Sequence, residues 1–320
     1  MKRQSNLSYI DPDGQEMVVR GNAGVAIVTE AVPAHNPQVV HPIEDHWITL
    51  DGARMRYLRS GSGPALVLVH GLLGYSFSWR HLMPALAPQA TLYAVDMLGV
   101  GFSDRPPGLD ASLRGCAERL VRFLDATAIN SCNLLGTSHG GAVAMMAAAL
   151  APHRIRNLIL VAPVNPWLEH GRRIAALLNR RSVKCIFLHA APLLRPAHGY
   201  FLRRLFGDVR RIRPGTLEGY SAPFTVPGTF EHGVRMLNTW SQDLKELESL
   251  LPRIREIRTL LIWGSVDPVV APVSAARLRQ QFRSCAVVTL DGVGHLPYEE
   301  MPEKFNRVVA EFLAEKSVAA

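Results

Sequence analysis

The feature that most constrains the fold is the stretch Leu134-Leu135-Gly136-Thr137-Ser138-His139-Gly140-Gly141-Ala142-Val143. It reads as the apolar end of a strand, a Gly-x-Ser-x-Gly turn, and a run of small residues that can only be a helix. A serine hydroxyl is a poor nucleophile unless it is lifted clear of its neighbours and given a base. A sharp strand-to-helix turn does the first job, and glycines at 136 and 140 leave room for a cramped backbone. The turn also points the His139 amide into the start of a helix, where N–H groups are free and the dipole favours negative charge. That is half of a site for an oxyanion. Alone, the pattern fits a glycine-containing loop with a chance serine equally well.

The flanking chain decides between the two. A β-hairpin is expected from residues 48–50, a turn at Asp51-Gly52 and an alternating run at 54–58. The apolar run 65–69 has no polar alternation, as in a strand buried on both faces of a parallel sheet. Further strands are expected at 91–95, 132–135, 158–161, 259–263 and 286–290. Helices are expected at 79–87, after an N-cap at Ser112, and at 139–151, 274–281 and 302–313. This alternation predicts an α/β fold: a doubly wound, mostly parallel sheet with its ligand site at the strands' carboxyl ends. Residues 46–162 and 241–320 form the expected core. Residues 163–240, rich in proline and aromatics, read as an inserted, mainly helical lid (cap) over that face. Residues 1–45 read as an N-terminal extension with one strand-like patch at 24–28.

Composition narrows the setting. Hydrophobic residues make up 48% of the chain and charged residues 19%, a globular balance. The four cysteines, Cys116, Cys132, Cys185 and Cys285, are far apart, which disfavours a zinc site or disulfide framework. The N-terminus carries basic residues without an apolar segment behind them, and the apolar run 141–151 is too short to span a bilayer. The expectation is a cytoplasmic protein with no metal and no cofactor.

Three residues sit just past strand ends in an order that carries chemistry: Ser138, Asp267 and His295. An imidazole takes the serine proton and later delivers it to the leaving group, while a carboxylate fixes the ring. Asp267 before Pro268 is by itself an ordinary turn residue, and His295 an ordinary loop histidine. All three at strand ends, in the order nucleophile, acid, histidine, make a triad the expectation. The second oxyanion donor is expected at the amide of Leu72, in His70-Gly71-Leu72-Leu73-Gly74, beside that of His139. His70 is expected to hold that loop rather than act on substrate.

His70-Gly71-x-x-Gly74, Asp96-x-x-Gly99-x-Gly101-x-Ser103, Gly136-x-Ser138-x-Gly140, Asp267, His295-x-Pro297 and Glu300-x-Pro302 together resemble the α/β-hydrolase fold superfamily. The resemblance runs from about Trp47 to Leu313 and matches the lid in position only. It is strongest to the single-lid branch of esterases, meta-cleavage C–C bond hydrolases, cofactor-free haloperoxidases, epoxide hydrolases and haloalkane dehalogenases. Epoxide hydrolases and haloalkane dehalogenases of that family use an aspartate nucleophile, where this chain has Ser138. The C–C hydrolases usually carry Gly-Pro-Gly after the His-Gly and an Asn before the nucleophile, where this chain has Leu72-Leu73-Gly74 and Thr137. Haloperoxidase-like members commonly carry Met where His139 stands. The resemblance therefore implies a cofactor-free serine esterase acting through an acyl-enzyme. A C–C hydrolase, or a ligand-binding receptor on the same scaffold, are the alternatives.

The formal charge of +8 is concentrated in the insert, at Arg172, Arg173, Arg180, Arg181, Lys184, Arg195, Arg203, Arg204, Arg210, Arg211 and Arg213. Such a run is either a solvated face or a surface that steers an anionic ester or contacts anionic membrane. Nucleic acid is not expected, because no recognition module accompanies the charge. Among the insert's aromatics, Trp167, Phe187 and Phe224, with Leu296 from the core, are the expected substrate contacts for a medium-chain or aromatic acyl group.

Overall fold

The computed structural model describes residues 5–10, 16–21, 41–168, 180–190 and 195–315. The patch at 24–28 lies outside them. Strands β1 (Ser5–Ile10) and β2 (Glu16–Gly21) pair as an antiparallel hairpin in the N-terminal extension.

The body is an eight-stranded sheet. In chain order its strands are β3 (Glu44–Leu50), β4 (Ala53–Ser60), β5 (Ala65–Val69), β6 (Thr91–Val95), β7 (Cys132–Thr137), β8 (Ile155–Val161), β9 (Arg258–Gly264) and β10 (Cys285–Leu290). Their spatial order is β10-β9-β8-β7-β5-β6-β4-β3. All neighbours from β10 to β6 run parallel; β4 joins β6 antiparallel and β3 closes the hairpin at that edge. The alternating side chains of the apolar runs divide between two cores. Val67, Val69, Leu134, Leu158, Leu160, Leu261 and Trp263 pack on one face, and Leu66, Leu68, Leu135, Ile159, Val161, Leu260 and Ile262 on the other. A strand buried on both faces needs no polar alternation, which is why these runs are continuously apolar.

Helices cover both faces. Helix α1 (Leu82–Leu86) follows a 3₁₀ turn at Ser76–Trp79, so the single helix expected over 79–87 is two short pieces. Helix α2 (Leu113–Ala126) is capped as expected: Ser112 Oγ accepts from the Gly115 amide at 3.1 Å. Helix α3 (His139–Leu150) is buried from His139 to Ala149, and glycine, alanine and methionine make up most of so crowded a position. Between β8 and β9 come α4 (Arg181–Ala190), α5 (Arg195–Arg203), α6 (Thr216–Ser221) and α7 (Thr229–Leu250). Helix α7 runs unbroken through residue 240, where the insert was expected to end. Its buried residues Val234, Trp240, Leu244 and Leu247 keep one apolar stripe across that position. Helices α8 (Val273–Arg279), α9 (Pro297–Glu300) and α10 (Pro302–Ala314) complete the fold. Among the described residues no helix is long and apolar enough to cross a membrane.

Candidate active site

The sheet register brings the expected site residues to one edge. Val69 pairs with Gly136, so the loop starting at His70 and the turn carrying Ser138 leave the sheet side by side. Val161 pairs with Thr137 and with Ile262, and Leu290 with Gly264, which sets the Asp267 and His295 loops on the same edge.

The turn at Ser138 is strained. Its φ of 53° and ψ of −122° lie where L-residues rarely sit, at a cost of about 1–3 kcal/mol. The surroundings hold it there. The Ser138 amide donates to Val161 O at 2.9 Å, and Ser138 O accepts from Gly141 at 3.0 Å and Val164 at 2.9 Å. The flanking glycines serve close approach rather than unusual torsions. A Cβ at Gly136 would lie 2.3 Å from Gly140 O, and one at Gly140 only 2.1 Å from His70 O. A Cβ at Gly71 would lie 3.2 Å from Ser138 Cβ, so the Gly71-Leu72 backbone passes directly beside the serine. Leu72 lines the same cavity as Ser138. The His139 amide opens α3, where no intrahelical acceptor exists. Gly71, just before Leu72, thus approaches the serine on one side, and His139 follows it in the chain on the other.

His295 Nδ1 lies 2.8 Å from Asp267 Oδ2 in a buried pair. Asp267 Oδ1 accepts from the amides of Val269 at 2.7 Å and Val270 at 3.0 Å, which fixes the carboxylate. With Nδ1 engaged, Nε2 is the nitrogen left for chemistry, and both His295 and Ser138 line the cavity. Among the described residues no hydrogen bond yet joins Ser138 Oγ to His295; such bonds commonly tighten only when substrate is bound. The histidine loop folds back across the end of β9: a Cβ on Gly264 would meet Gly294 O at 2.1 Å. The His295 amide donates to Leu205 O at 2.7 Å. Beneath the loop, the buried Glu300 carboxylate accepts from the amides of Gly294 (2.7 Å), Gly207 (3.0 Å) and Asp208 (3.2 Å). The His295 loop and the insert are thus tied through one carboxylate.

His70 does what was expected of it. Its Nδ1–H donates to Gly71 O at 2.8 Å, and its Nε2 accepts from the Met97 amide at 3.1 Å, so one neutral tautomer braces the loop. Asp96 supports the same edge by accepting from the amides of Ser76 (2.7 Å) and Phe102 (3.0 Å). Gly101 is required there, because a Cβ would meet Asp96 Oδ2 at 2.5 Å. The His139 side chain was not expected to matter. Its Nδ1 accepts from Trp240 Nε1 of α7 at 3.2 Å, the two rings are within 11° of parallel, and Nε2 is buried without a partner. Burial, with His70 and His232 nearby, pushes the His139 imidazole down to about 3.

The cavity measures about 310 Å³, at the small end for ligand sites. Leu296 lines it, as expected. Trp167 does not: its indole donates to Glu248 Oε1 at 3.0 Å, with Arg277 stacked 4.5 Å from its ring. Phe224 also stands back from the cavity, packed 4.3 Å from the ring of His198, which does line it. The Phe187 side chain lies outside the described residues. Ser78, Tyr220, Trp240, His198 and Tyr298 are lining residues that sequence reasoning missed. Two of them had a signal in their placement: Ser78 follows the His-Gly loop and Tyr298 follows His295-Leu296-Pro297. The described lining contains no arginine or lysine.

The cationic run is partly absorbed by the protein. Arg210 pairs with Asp208, Arg211 with Glu300, and Arg213 with Glu303. Arg180, Arg203 and Arg204 are exposed, while Arg172, Arg173 and the side chains of Arg181 and Arg195 lie outside the described residues.

Fold and site together define a hydrolase built on a doubly wound, mostly parallel sheet. The chain belongs to the alpha/beta hydrolase fold family, whose sequence profile matches residues 64–302. It is 28% identical over 267 residues to the 2-hydroxy-6-oxo-2,4-heptadienoate hydrolase of Pseudomonas putida, covering 79% of this chain and 90% of that one. It is 26% identical over 285 residues to haloalkane dehalogenase 2 of Mycobacterium bovis, covering 86% and 96%. The structure of Cfl2 from Burkholderia cenocepacia superposes with a TM-score of 0.74 at 23% identity, covering 87% and 97%.

Proposed function

We propose that this hydrolase cleaves carboxylic esters through an acyl-enzyme. The observation that carries the reading is a serine, not an aspartate, on the strained turn facing the cavity that His295 lines with Asp267 behind it. Ser138 Oγ attacks the acyl carbon as His295 Nε2 takes its proton, and Asp267 steadies the imidazolium. The carbonyl oxygen gains charge between the amides of Leu72 and His139. His295 returns the proton to the departing alcohol, then activates water to release the acid and restore Ser138.

A second reading, C–C bond hydrolysis, draws on the Pseudomonas relative. The dienoate in that relative's name carries a carboxylate, and a described lining without arginine or lysine suits a neutral ester better. Haloalkane chemistry of the kind named for the mycobacterial relative would need a carboxylate to form an alkyl ester where Ser138 stands. The exposed Arg203 and Arg204, beside exposed Tyr200 and Phe201, support peripheral contact with anionic lipid, as does the exposed Arg180. Co-sedimentation with anionic and neutral liposomes at low and high salt tests that contact.

The deciding experiment sets 4-nitrophenyl esters of graded acyl length beside a coloured ring-fission dienoate, with a fluorophosphonate label followed by mass. Multiple turnovers on esters with the label on Ser138 are expected. Turnover of the dienoate alone would move the assignment to C–C hydrolysis, and a bound ligand without turnover would move it to a receptor.

A further inference from the structure

The inner wall of the cavity carries a group of hydroxyls that the ester mechanism does not use. Ser78, Tyr220 and Tyr298 all line the cavity, each no more than 5% exposed. Behind them lies Glu299, its carboxylate gripped by both nitrogens of the Arg80 fork, with Nη2 to Oε2 at 2.6 Å. The Tyr220 hydroxyl lies 2.8 Å from Glu299 Oε1 and 3.2 Å from Ser78 Oγ. One proton serves one acceptor, and the nearer carboxylate takes it, so the Tyr220 oxygen is free to accept from Ser78. Tyr298 brings a further hydroxyl beside Ser78, Tyr220 and Thr137. Thr137 Oγ1, fully buried next to the nucleophile, makes no hydrogen bond of ordinary geometry.

A neutral alkyl chain would gain nothing from such a wall, and burying hydroxyls against it leaves their capacity idle. The group is held by the Arg80–Glu299 ion pair, whose carboxylate is buried, so its positions are fixed while the hydroxyl protons of Ser78 and Tyr298 can still rotate. Fixed oxygens with rotatable protons suit a ligand oxygen that accepts, donates or does both.

The cavity's two ends differ. Phe201, 60% exposed, stands at the mouth, whereas Ser78, Tyr220 and Tyr298 are enclosed. In an acyl-enzyme sequence the alcohol must leave through the mouth before water can enter, so the enclosed end holds the acyl group. Resting on the ester reading, we propose that Ser78, Tyr220 and Tyr298 form a polar acyl subsite, selecting esters whose acyl chain carries a keto or hydroxyl oxygen beyond the ester carbonyl.

The test compares kcat/KM for 4-nitrophenyl pentanoate with 4-oxopentanoate, and hexanoate with 5-oxohexanoate, each normalised to its alkaline hydrolysis rate. The wild type is expected to prefer an oxo ester by about tenfold, the scale of one well-made hydrogen bond. Tyr220→Phe and Ser78→Ala, checked by thermal melting for an intact fold, are each expected to shrink that ratio about fivefold. A variant that slows both members of a pair equally would mark the residue as structural, and the same result in both variants overturns the subsite. Equal wild-type rates within both pairs overturn it too, with ester turnover itself standing. No turnover of any ester overturns the ester reading and the subsite with it.

Discussion

Two histidines flank this site, and the protein treats them in opposite ways. His295 has a carboxylate on Nδ1, at 2.8 Å, and a backbone tied down on both sides. His139, one residue after the serine, has an indole N–H on Nδ1 and nothing on Nε2. An acceptor beside an imidazole stabilises positive charge, and a donor opposes it. The first arrangement is the one the proposed mechanism needs, with Nδ1 held by a carboxylate and Nε2 left toward the cavity. The second keeps a ring neutral beside the proposed oxyanion site, so its part in the proposed mechanism is its backbone amide alone. Identical side chains are thus divided into the proposed base and a scaffold by the single group placed on Nδ1.

The largest effect should come from making the two environments alike. Asp267→Asn replaces the acceptor on His295 with a group that can turn a donor toward it, inverting the tautomer. Ester kcat is expected to fall about 10⁴-fold with the melting temperature near that of the wild type, read by steady-state kinetics and a thermal melt. A loss under tenfold would remove Asp267 from the proposed triad.

Next in size is the carboxylate that ties the His295 loop to the insert. Glu300→Gln turns one acceptor into a donor facing the amides of Gly294, Gly207 and Asp208. Charge-assisted hydrogen bonds of this kind are worth about 1.5–3 kcal/mol each. The loop should loosen and kcat/KM should drop about 10- to 100-fold, with KM changing less than kcat because the base, not the pocket, is misplaced. A KM effect that dominates would show instead that Glu300 chiefly shapes the insert's wall of the cavity.

The core of this molecule was legible in the sequence, and the reason shows which parts were not. Strands β5, β7, β8 and β9 are buried on both faces, so local apolar runs announced them without knowledge of partners. Ser138 and Asp267 were legible because each lies within a few residues of the end of such a strand, and His295 because it follows β10 in a Gly-His-x-Pro loop. Trp240 was not: it meets His139 across 101 positions, and no local pattern reports so distant a pairing. Trp167 and Phe224 were placed at the cavity on aromatic character alone, and that character is satisfied elsewhere, by Glu248 and Arg277 for one and by His198 and Phe230 for the other. The glycines of the Gly-x-Ser-x-Gly turn do leave the room that was expected of them. Their hydrogens make room for Gly140 O and His70 O, while the unusual φ falls on Ser138 itself.

The scaffold histidine can be tested through its donor. Trp240→Phe leaves both nitrogens of a buried ring unpartnered and should cost about 1–3 kcal/mol, a melting decrease of roughly 4 °C. Adding His139→Leu removes the stranded polar atoms and should recover part of that loss. Strict additivity of the two changes would mean that the indole and imidazole are not coupled.

The smallest effect is a pH slope set by the buried histidines that stay neutral. His139 stays neutral in the folded protein down to about 3, and His232, also buried, down to about 4. An unfolded histidine takes a proton below about 6.5. Between those limits the unfolded chain binds more protons than the folded one, so stability is fully present above about pH 6.5 and is lost as pH falls toward the folded values. From pH 7 to 5.5 the loss from His139 should be about 1 kcal/mol. His139→Asn keeps an acceptor near the Nδ1 position for the Trp240 indole but cannot titrate. Denaturant melts at the two pH values should therefore show a shallower decline in H139N than in the wild type. An unchanged decline would mean that His139 is already protonated in the folded state at pH 5.5, and the contrast between a base and a neutral scaffold would collapse.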